Sequence, residues 1–256
     1  MSDLRVLVTN DDGIDSPGLT ALARCAVDAG HSVTVAAPAQ EASGTSASLT
    51  AAADDDARRV ATTARDDWPV PAYAVAAHPG LIAFTASLGG FGERPDVLLS
   101  GINRGANVGR AVLHSGTVGA ALTASLYGVR TLAVSLDCGW DRDIEYHWDT
   151  AAAVTRSVLD VLPDLPEGTV LNLNVPNVPA GELGPLRRAR LVRYGQVQAK
   201  VHRLDDGRLE IVTVDPAGTE YEPGTDAALL LAGHPTLTVL TSVADDAELD
   251  IPLPLS

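Results

Sequence analysis

The most constraining feature of this chain lies in its first forty residues. Residues 4–9 (LRVLVT) form a short continuous apolar run, the pattern of a strand buried on both faces. Asn10-Asp11-Asp12-Gly13 follows at once and reads as a turn. Ser16-Pro17 then opens a helix, with Ser in the N-cap position and Pro at the first helical position. The helix runs to about residue 29, where Gly30 stops it, and residues 32–37 (SVTVAA) form the next strand. This β-α-β unit commits the chain to a parallel sheet. The same grammar continues, with strands expected over 96–99, 131–136 and 170–175 and helices over 81–88, 115–127 and 149–162. Residues 40–48 read as a loop. Residues 49–75 hold two strand-like pieces around a charged stretch at 54–59, and residues 101–109 form a glycine- and asparagine-rich loop. The predicted fold is α/β: a Rossmann-like, doubly wound, mostly parallel sheet.

Beyond Pro176 the style changes. Proline and glycine become frequent, and short alternating runs at 190–194, 198–203 and 209–214 suggest hairpin strands. A short helix is expected over 225–231 and a last strand over 236–243. We place a soft boundary near 180, giving a Rossmann-like domain over 1–180. Residues 181–256 are then a C-terminal β-rich arm of modest apolar content, suited to pairing with another subunit.

Charge narrows the partners. The net charge is −15, and Lys200 is the only lysine. A nucleic-acid polymer needs Lys and Arg to neutralise its phosphates, so it is an unsuitable partner. A small anionic ligand must be held by backbone amides, by arginine or by a metal. With 46% apolar residues the chain is globular. No apolar run approaches the roughly 18 residues of a membrane helix, and no leader pattern precedes residue 4, so no membrane partner and a cytoplasmic location are expected. Cys25 and Cys138 are expected as two buried thiols.

In open parallel sheets ligands bind beyond the carboxyl ends of the strands. Three polar, glycine-bearing segments follow predicted strands: 10–13, 39–48 and 100–103. Adjacent carboxylates at a strand end suit a hard cation that takes oxygen ligands and keeps several waters. Asp11 and Asp12 supply charge, while the Ser43 hydroxyl and the Asn103 amide oxygen offer neutral ligands. Taken alone, Asp11-Asp12 reads equally well as a solvated turn with a helix cap. Gly101, Gly105 and Gly109, interleaved with Asn103 and Asn107, permit close backbone approach to a ligand. Ser115-Gly116-Thr117 opens a strongly helical segment, and a helix N-terminus binds phosphate without any lysine; ordinary capping by Ser115 is the competing reading. His114 is the one histidine beside this group, and His31 reads as structural. There is no G-x-G-x-x-G after a strand, no G-x-x-x-x-G-K-[ST], no Cys/His zinc spacing and no G-x-S-x-G elbow.

The segments VTNDDGIDSPGLTAL (8–22), AAPAQEASGTSASLT (36–50), SGINRGANVG (100–109), SGTVGAAL (115–122), LAVSL (132–136) and LNLNVP (171–176), with a weaker match at 224–240, together resemble the SurE family. These survival-protein nucleotidases hydrolyse nucleoside 5′- and 3′-monophosphates. The resemblance implies a Rossmann-like domain, one Mg²⁺ or Mn²⁺ ion per subunit, and oligomers, a homodimer or homotetramer, built through C-terminal arms. It places metal ligands on Asp11, Asp12, Ser43 and Asn103, and phosphate contacts at Gly44, Asn107, Ser115, Gly116 and Thr117; Asn10 and His114, beside these groups, are further candidate substrate contacts. The chain departs from the family pattern where a Gly-Thr-Pro-Ala-Asp-Cys stretch reads Ala77-His78-Pro79-Gly80-Leu81-Ile82. It departs again at Thr123, where an acidic residue is expected, and at His114, where a tyrosine is expected.

The expected activity is metal-dependent hydrolysis of a small phosphomonoester. Asp11 or Asp12 would activate the water and His114 would protonate the leaving group. A specialised phosphatase acting on a sugar phosphate or pathway intermediate, and a non-catalytic phosphometabolite binder, are the alternatives. A phosphoaspartyl mechanism fits poorly, because it wants Asp-x-Asp after the first strand and a lysine near the phosphate.

Overall fold

The computed structural model describes residues 3–51, 59–139, 144–193, 198–204, 206–214 and 220–244. The predicted opening unit is present as β1 (Arg5–Thr9), α1 (Pro17–Asp28) and β2 (Ser32–Pro38). Ser16 occupies the extended N-cap position of α1 but makes no side-chain cap bond, so Pro17 is what marks the helix start. At the other end Gly30, at φ 84°, takes the left-handed conformation that lets His31 N–H reach back to the Ala26 carbonyl.

The chain continues through β3 (Thr62–Ala64), β4 (Ala72–Val75), α2 (Pro79–Ser87), β5 (Val97–Arg104), a 3₁₀ turn (Gly109–His114), α3 (Gly116–Ser125), β6 (Arg130–Asp137), α4 (Trp148–Leu159) and β7 (Val170–Pro176). It ends with β8 (Arg187–Arg188), β9 (Gln198–Arg203), β10 (Leu209–Val214), α5 (Asp226–Leu231) and β11 (Thr236–Leu240). The nine-stranded sheet has the order β3-β4-β2-β1-β5-β6-β7-β11-β8. The run from β4 to β7 is parallel, β3 pairs antiparallel with β4, and β11 pairs antiparallel with β7 and parallel with β8. From β1 the chain steps one way to β2 and β4; from β5 it steps the other way to β6 and β7. The order therefore reverses between β1 and β5, the position where a doubly wound sheet opens a crevice.

Alternation along the strands divides the core between two faces. Val6, Val8, Val97 and Leu99 pack with Leu19, Leu22 and Val158 beneath α1 and α4. Leu7 and Leu98 pack with Ile82, Ala120 and Ala124 beneath α2 and α3. Because helices cover both faces, the strands read as continuous apolar runs.

Three expectations are revised. Residues 101–104 belong to β5 and not to a loop: the strand shifts register between Ser100 and Asn103 and continues to Arg104. Gly101, at φ 135°, makes this possible, since a Cβ there would lie 2.2 Å from the Val134 carbonyl oxygen. In place of a strand over 190–194, β8 occupies 187–188 and Arg190 makes an isolated bridge to Thr225; Tyr194 lies outside the described residues, as does most of the charged stretch at 54–59. Cys25 is buried, whereas Cys138 is half-exposed and lines a cavity; both are free thiols.

The stretch after 180 divides. β11 and β8 extend the main sheet, and β9 and β10 form a separate antiparallel pair. Among the described residues no helix is long and apolar enough to cross a membrane.

Candidate functional site

A cavity of about 420 Å³ opens at the carboxyl ends of the central strands, on the crevice between β1 and β5. Asp11, Asp12, Ser43, Gly44, Asn103, Asn107, His114 and Ser115 all line it. Segments separated by a hundred residues thus converge on one rim, as the strand-end rule requires.

The turn after β1 fixes the two aspartates. Asn10 is fully buried, and its side chain exchanges two hydrogen bonds with Gly13: Nδ2 donates to the Gly13 carbonyl (3.0 Å) and Oδ1 accepts the Gly13 N–H (3.1 Å). Asn10 therefore shapes the turn from behind and does not line the cavity. Asp11 is buried, and its Oδ1 accepts a 2.6 Å bond from Thr117 Oγ1. Gly116 presses on the same carboxylate, where a Cβ would lie 2.7 Å from Oδ2. Gly116 and Thr117 thus hold Asp11 and are not part of the cavity lining. Asp12 Oδ2 accepts the Arg104 N–H (3.1 Å).

The other ligand candidates are fixed at one atom as well. Asn103 Nδ2 donates to the Gly105 carbonyl (2.8 Å), a bond that does not engage Oδ1. Ser43 Oγ donates to Glu41 Oε1 (2.9 Å). The loop carrying Ser43 is pinned in two places. Ala42 N–H donates to the Asp11 carbonyl (2.8 Å), and Ser46 Oγ donates to the Leu113 carbonyl (2.6 Å). It lies so close to α3 that a Cβ on Gly119 would fall 2.3 Å from the Ser46 carbonyl oxygen.

A buried polar cluster positions the glycine-rich segment. The Asn107 carbonyl accepts from Asn172 Nδ2 (2.8 Å) and Asn174 Nδ2 (2.9 Å), its N–H donates to Asn174 Oδ1 (2.8 Å), and its Nδ2 donates to Ser135 Oγ (2.9 Å). One turn on, Asp226 at the start of α5 is fully buried and accepts the Gly109 and Val192 N–H groups at 2.7 and 2.9 Å. Ser115 Oγ accepts the Val118 N–H (3.1 Å), so its hydroxyl caps α3 while the residue borders the cavity.

Burial pushes the Asp11 carboxyl above the usual range, against the pull of the Thr117 hydroxyl. Burial, then the negative charge of Asp11, push Asp12 up to about 6. Glu41 and Asp137 add acidic groups to the same lining. Among the described residues no three His, Cys, Asp or Glu side chains gather as a metal-ligand group. The candidate set is instead two carboxylates with two neutral oxygens. Asp12 and Asn103 are each anchored at one polar atom and keep another oxygen uncommitted by those bonds. This donor chemistry fits a hard divalent cation, which would also relieve the crowding of the two carboxylates.

Sequence reasoning missed Glu41, Arg104, Asp137, Cys138 and Tyr146, all of which line the cavity. Asp137 ends β6 and was findable by the strand-end rule; Tyr146 sits in a connection that carries no motif. Of the three departures from the family pattern, only His114 reaches the cavity. Leu81 belongs to α2 and packs against the core on that face, and Thr123 bonds its own helix through the Gly119 carbonyl (2.7 Å).

Fold and cavity together define a doubly wound α/β protein with an acidic, oxygen-lined site at the sheet's switch point. The family model described as Survival protein SurE matches residues 6–199. The chain is 36% identical over 239 residues to 5'-nucleotidase SurE of Stenotrophomonas maltophilia (strain R551-3), covering 92% of this chain and 88% of that protein. It is 36% identical over 244 residues to 5'/3'-nucleotidase SurE of Edwardsiella ictaluri (strain 93-146), covering 93% and 89%. The crystal structure of the SurE protein from Aquifex aeolicus superposes with a TM-score of 0.72 at 26% identity, covering 92% of each chain. The chain belongs to the SurE family.

Proposed function

We propose that this chain hydrolyses nucleoside 5′- and 3′-monophosphates to nucleoside and phosphate. It is an enzyme, a phosphoric monoester hydrolase, as its relatives named 5'-nucleotidase and 5'/3'-nucleotidase indicate. The observation that carries the reading is the meeting of Asp11, Asp12, Ser43 and Asn103 on one cavity.

A divalent cation, Mg²⁺ or Mn²⁺, held by these four residues supplies positive charge against the phosphate oxygens. The chain's own groups do the rest. Thr117 and Gly116 fix the Asp11 carboxylate, so it needs no reorganisation when substrate arrives. The N-terminus of α3, beside Ser115, and the backbone at Gly44 and Asn107 orient the phosphate, with the helix dipole favouring its charge. Asp12, less buried than Asp11, takes the proton of the attacking water, and His114 protonates the departing alkoxide. Positioning and electrostatics account for most of the rate in phosphoryl transfer. The case for a phosphatase specialised for another phosphate ester rests on His114, since Leu81 and Thr123 stand off the cavity. The chain works in the cytoplasm as a homodimer or homotetramer joined through the segment after residue 180, where β9 and β10 stand apart from the main sheet.

The test is phosphate release from nucleoside monophosphates and sugar phosphates with Mn²⁺, Mg²⁺ or EDTA. Metal-dependent release from nucleotides is expected. Release confined to sugar phosphates would replace the substrate, and release unaffected by EDTA would remove the metal assignment.

A further inference from the structure

The cavity holds more than a phosphate requires. At about 420 Å³ it falls within the roughly 300–1,000 Å³ typical of small-ligand sites. Beside the acidic group, Ala106, Val108, Ala111 and Tyr146 give it an apolar lining. Tyr146 is stacked on Trp148, with ring centroids 5.3 Å apart and planes 11° from parallel. Aromatic residues make up only 4% of the chain, so a stacked pair at this wall is a concentrated use of a scarce resource. Trp148 is held from behind: it packs over Gly18 of α1, where a Cβ would lie 3.0 Å from its ring, and both aromatics rest on the core under α1 and α4. Trp148 borders the adjoining hollow and not the cavity itself, whereas Tyr146 borders both, so of the two rings Tyr146 is the one that lines the cavity.

A ring fixed by its own stacking partner offers contact area at little conformational cost. A sugar or polyol would need hydrogen-bonding side chains along such a wall, because a site rejects or accepts hydroxyls through the polar groups it presents. A planar heterocycle needs only a π-face, and every nucleobase has one.

We propose that Tyr146, backed by Trp148, is the base-stacking wall of the substrate cavity and selects phosphomonoesters that carry a nucleobase over those of bare sugars. The proposal rests on the phosphomonoesterase reading above and names the group that this site recognises beyond the phosphate. Stacking is tolerant of base identity, so purine and pyrimidine nucleotides are both accepted, purines more tightly.

The test compares the full chain with Tyr146→Ala and Tyr146→Phe. It measures kcat and KM for adenosine 5′-monophosphate and for ribose 5-phosphate with Mn²⁺, and the Kd of adenosine by quenching of tryptophan fluorescence. Tyr146→Ala is expected to raise KM for the nucleotide and Kd for adenosine about tenfold, in line with the loss of one base–aromatic stack. It should leave kcat, and kcat/KM for ribose 5-phosphate, within about twofold of the parent, and Tyr146→Phe should behave as the parent. Equal losses on the nucleotide and on ribose 5-phosphate would overturn the proposal, since they report a disturbed phosphate site. So would an unchanged adenosine Kd. Adenosine binding that depends on Tyr146 without any phosphate release would keep the stacking wall and remove the hydrolase reading. Equal release from both phosphates with no adenosine binding would do the reverse.

Discussion

Asp12 shows, at the scale of one residue, what assembling the cavity costs in stability. Its carboxyl is raised to about 6 by burial and by Asp11, against about 3.9 in an unfolded chain. A raised folded value means that protonated Asp12 favours the native state. Its contribution is fully present below the unfolded value and is lost as pH climbs through about 6. Asp12→Asn should therefore stabilise the metal-free protein at pH 7.5 by on the order of 1–3 kcal/mol, and add little at pH 4. The same change should cut turnover at least a hundredfold. Thermal melts in EDTA at both pH values decide it; a lower melting temperature at pH 7.5 would contradict the assignment. Gly116→Ala is the complementary change. The new methyl must displace the Asp11 carboxylate, whose Oδ2 lies 2.7 Å from that Cβ position, and kcat should fall at least tenfold. A variant with parental kcat would show that Asp11 tolerates movement. Much at this scale was legible, because Asp11, Asp12, Ser43 and Asn103 each lie at or just beyond a strand end. The bond from Thr117 to Asp11 spans 106 residues, so sequence adjacency could mark Thr117 as part of a helix start without revealing which group it serves.

At the scale of elements, Asp226 makes α5 a clasp. Its buried carboxylate accepts N–H groups from Gly109 and Val192, which are 117 and 34 residues away. Truncation would leave both donors buried and unpaired, a loss of about 2–4 kcal/mol. Asp226→Ala should therefore lower the melting temperature by about 5–15 °C, and Asp226→Asn by less. Because Gly109 begins the turn that ends in His114, kcat/KM should fall as well. Parental activity at a temperature where the variant is still folded would show that the clasp serves stability alone. The sequence offered a short helix at this place and no sign of the clasp, since one aspartate at a helix start reads as a surface cap. The extension of β5 was hidden for a different reason. Ser100-Gly101-Ile102-Asn103 has turn composition, yet Gly101 is there so that two backbones can approach across a strand. The opening β-α-β unit, by contrast, was readable almost to the residue, because its apolar runs, proline and glycine agree at every position.

The whole molecule carries 33 acidic against 18 basic side chains, excluding histidine. Self-repulsion at this charge opposes compaction, and salt screens it. Exposed pairs such as Arg5–Glu93 and Arg190–Glu222 respond oppositely, but each contributes only about 0–1 kcal/mol. The balance favours screening, so the metal-free protein should melt several degrees higher in 0.5 M than in 0.02 M sodium chloride. A flat or falling response would mean that the ion pairs dominate. The parallel sheet was legible as a whole from its alternating apolar runs and helices. The far edge was not, because β11 lies some sixty residues beyond β7 and only the assembled sheet shows the two side by side.

The hydrogen bond from Thr117 to Asp11 also sets an order of events while the chain is being made. Asp11 leaves the ribosome early, and its tether follows 106 residues later. At about 5–20 residues per second that is a wait of roughly 5–20 s. During that interval the Asp11–Asp12 pair remains hydrated and without its clamp. The buried form of the pair is reached only after α3 has been synthesised and seated, so a nascent or truncated chain that ends before residue 117 keeps the DDG sequence but lacks the assembled cavity.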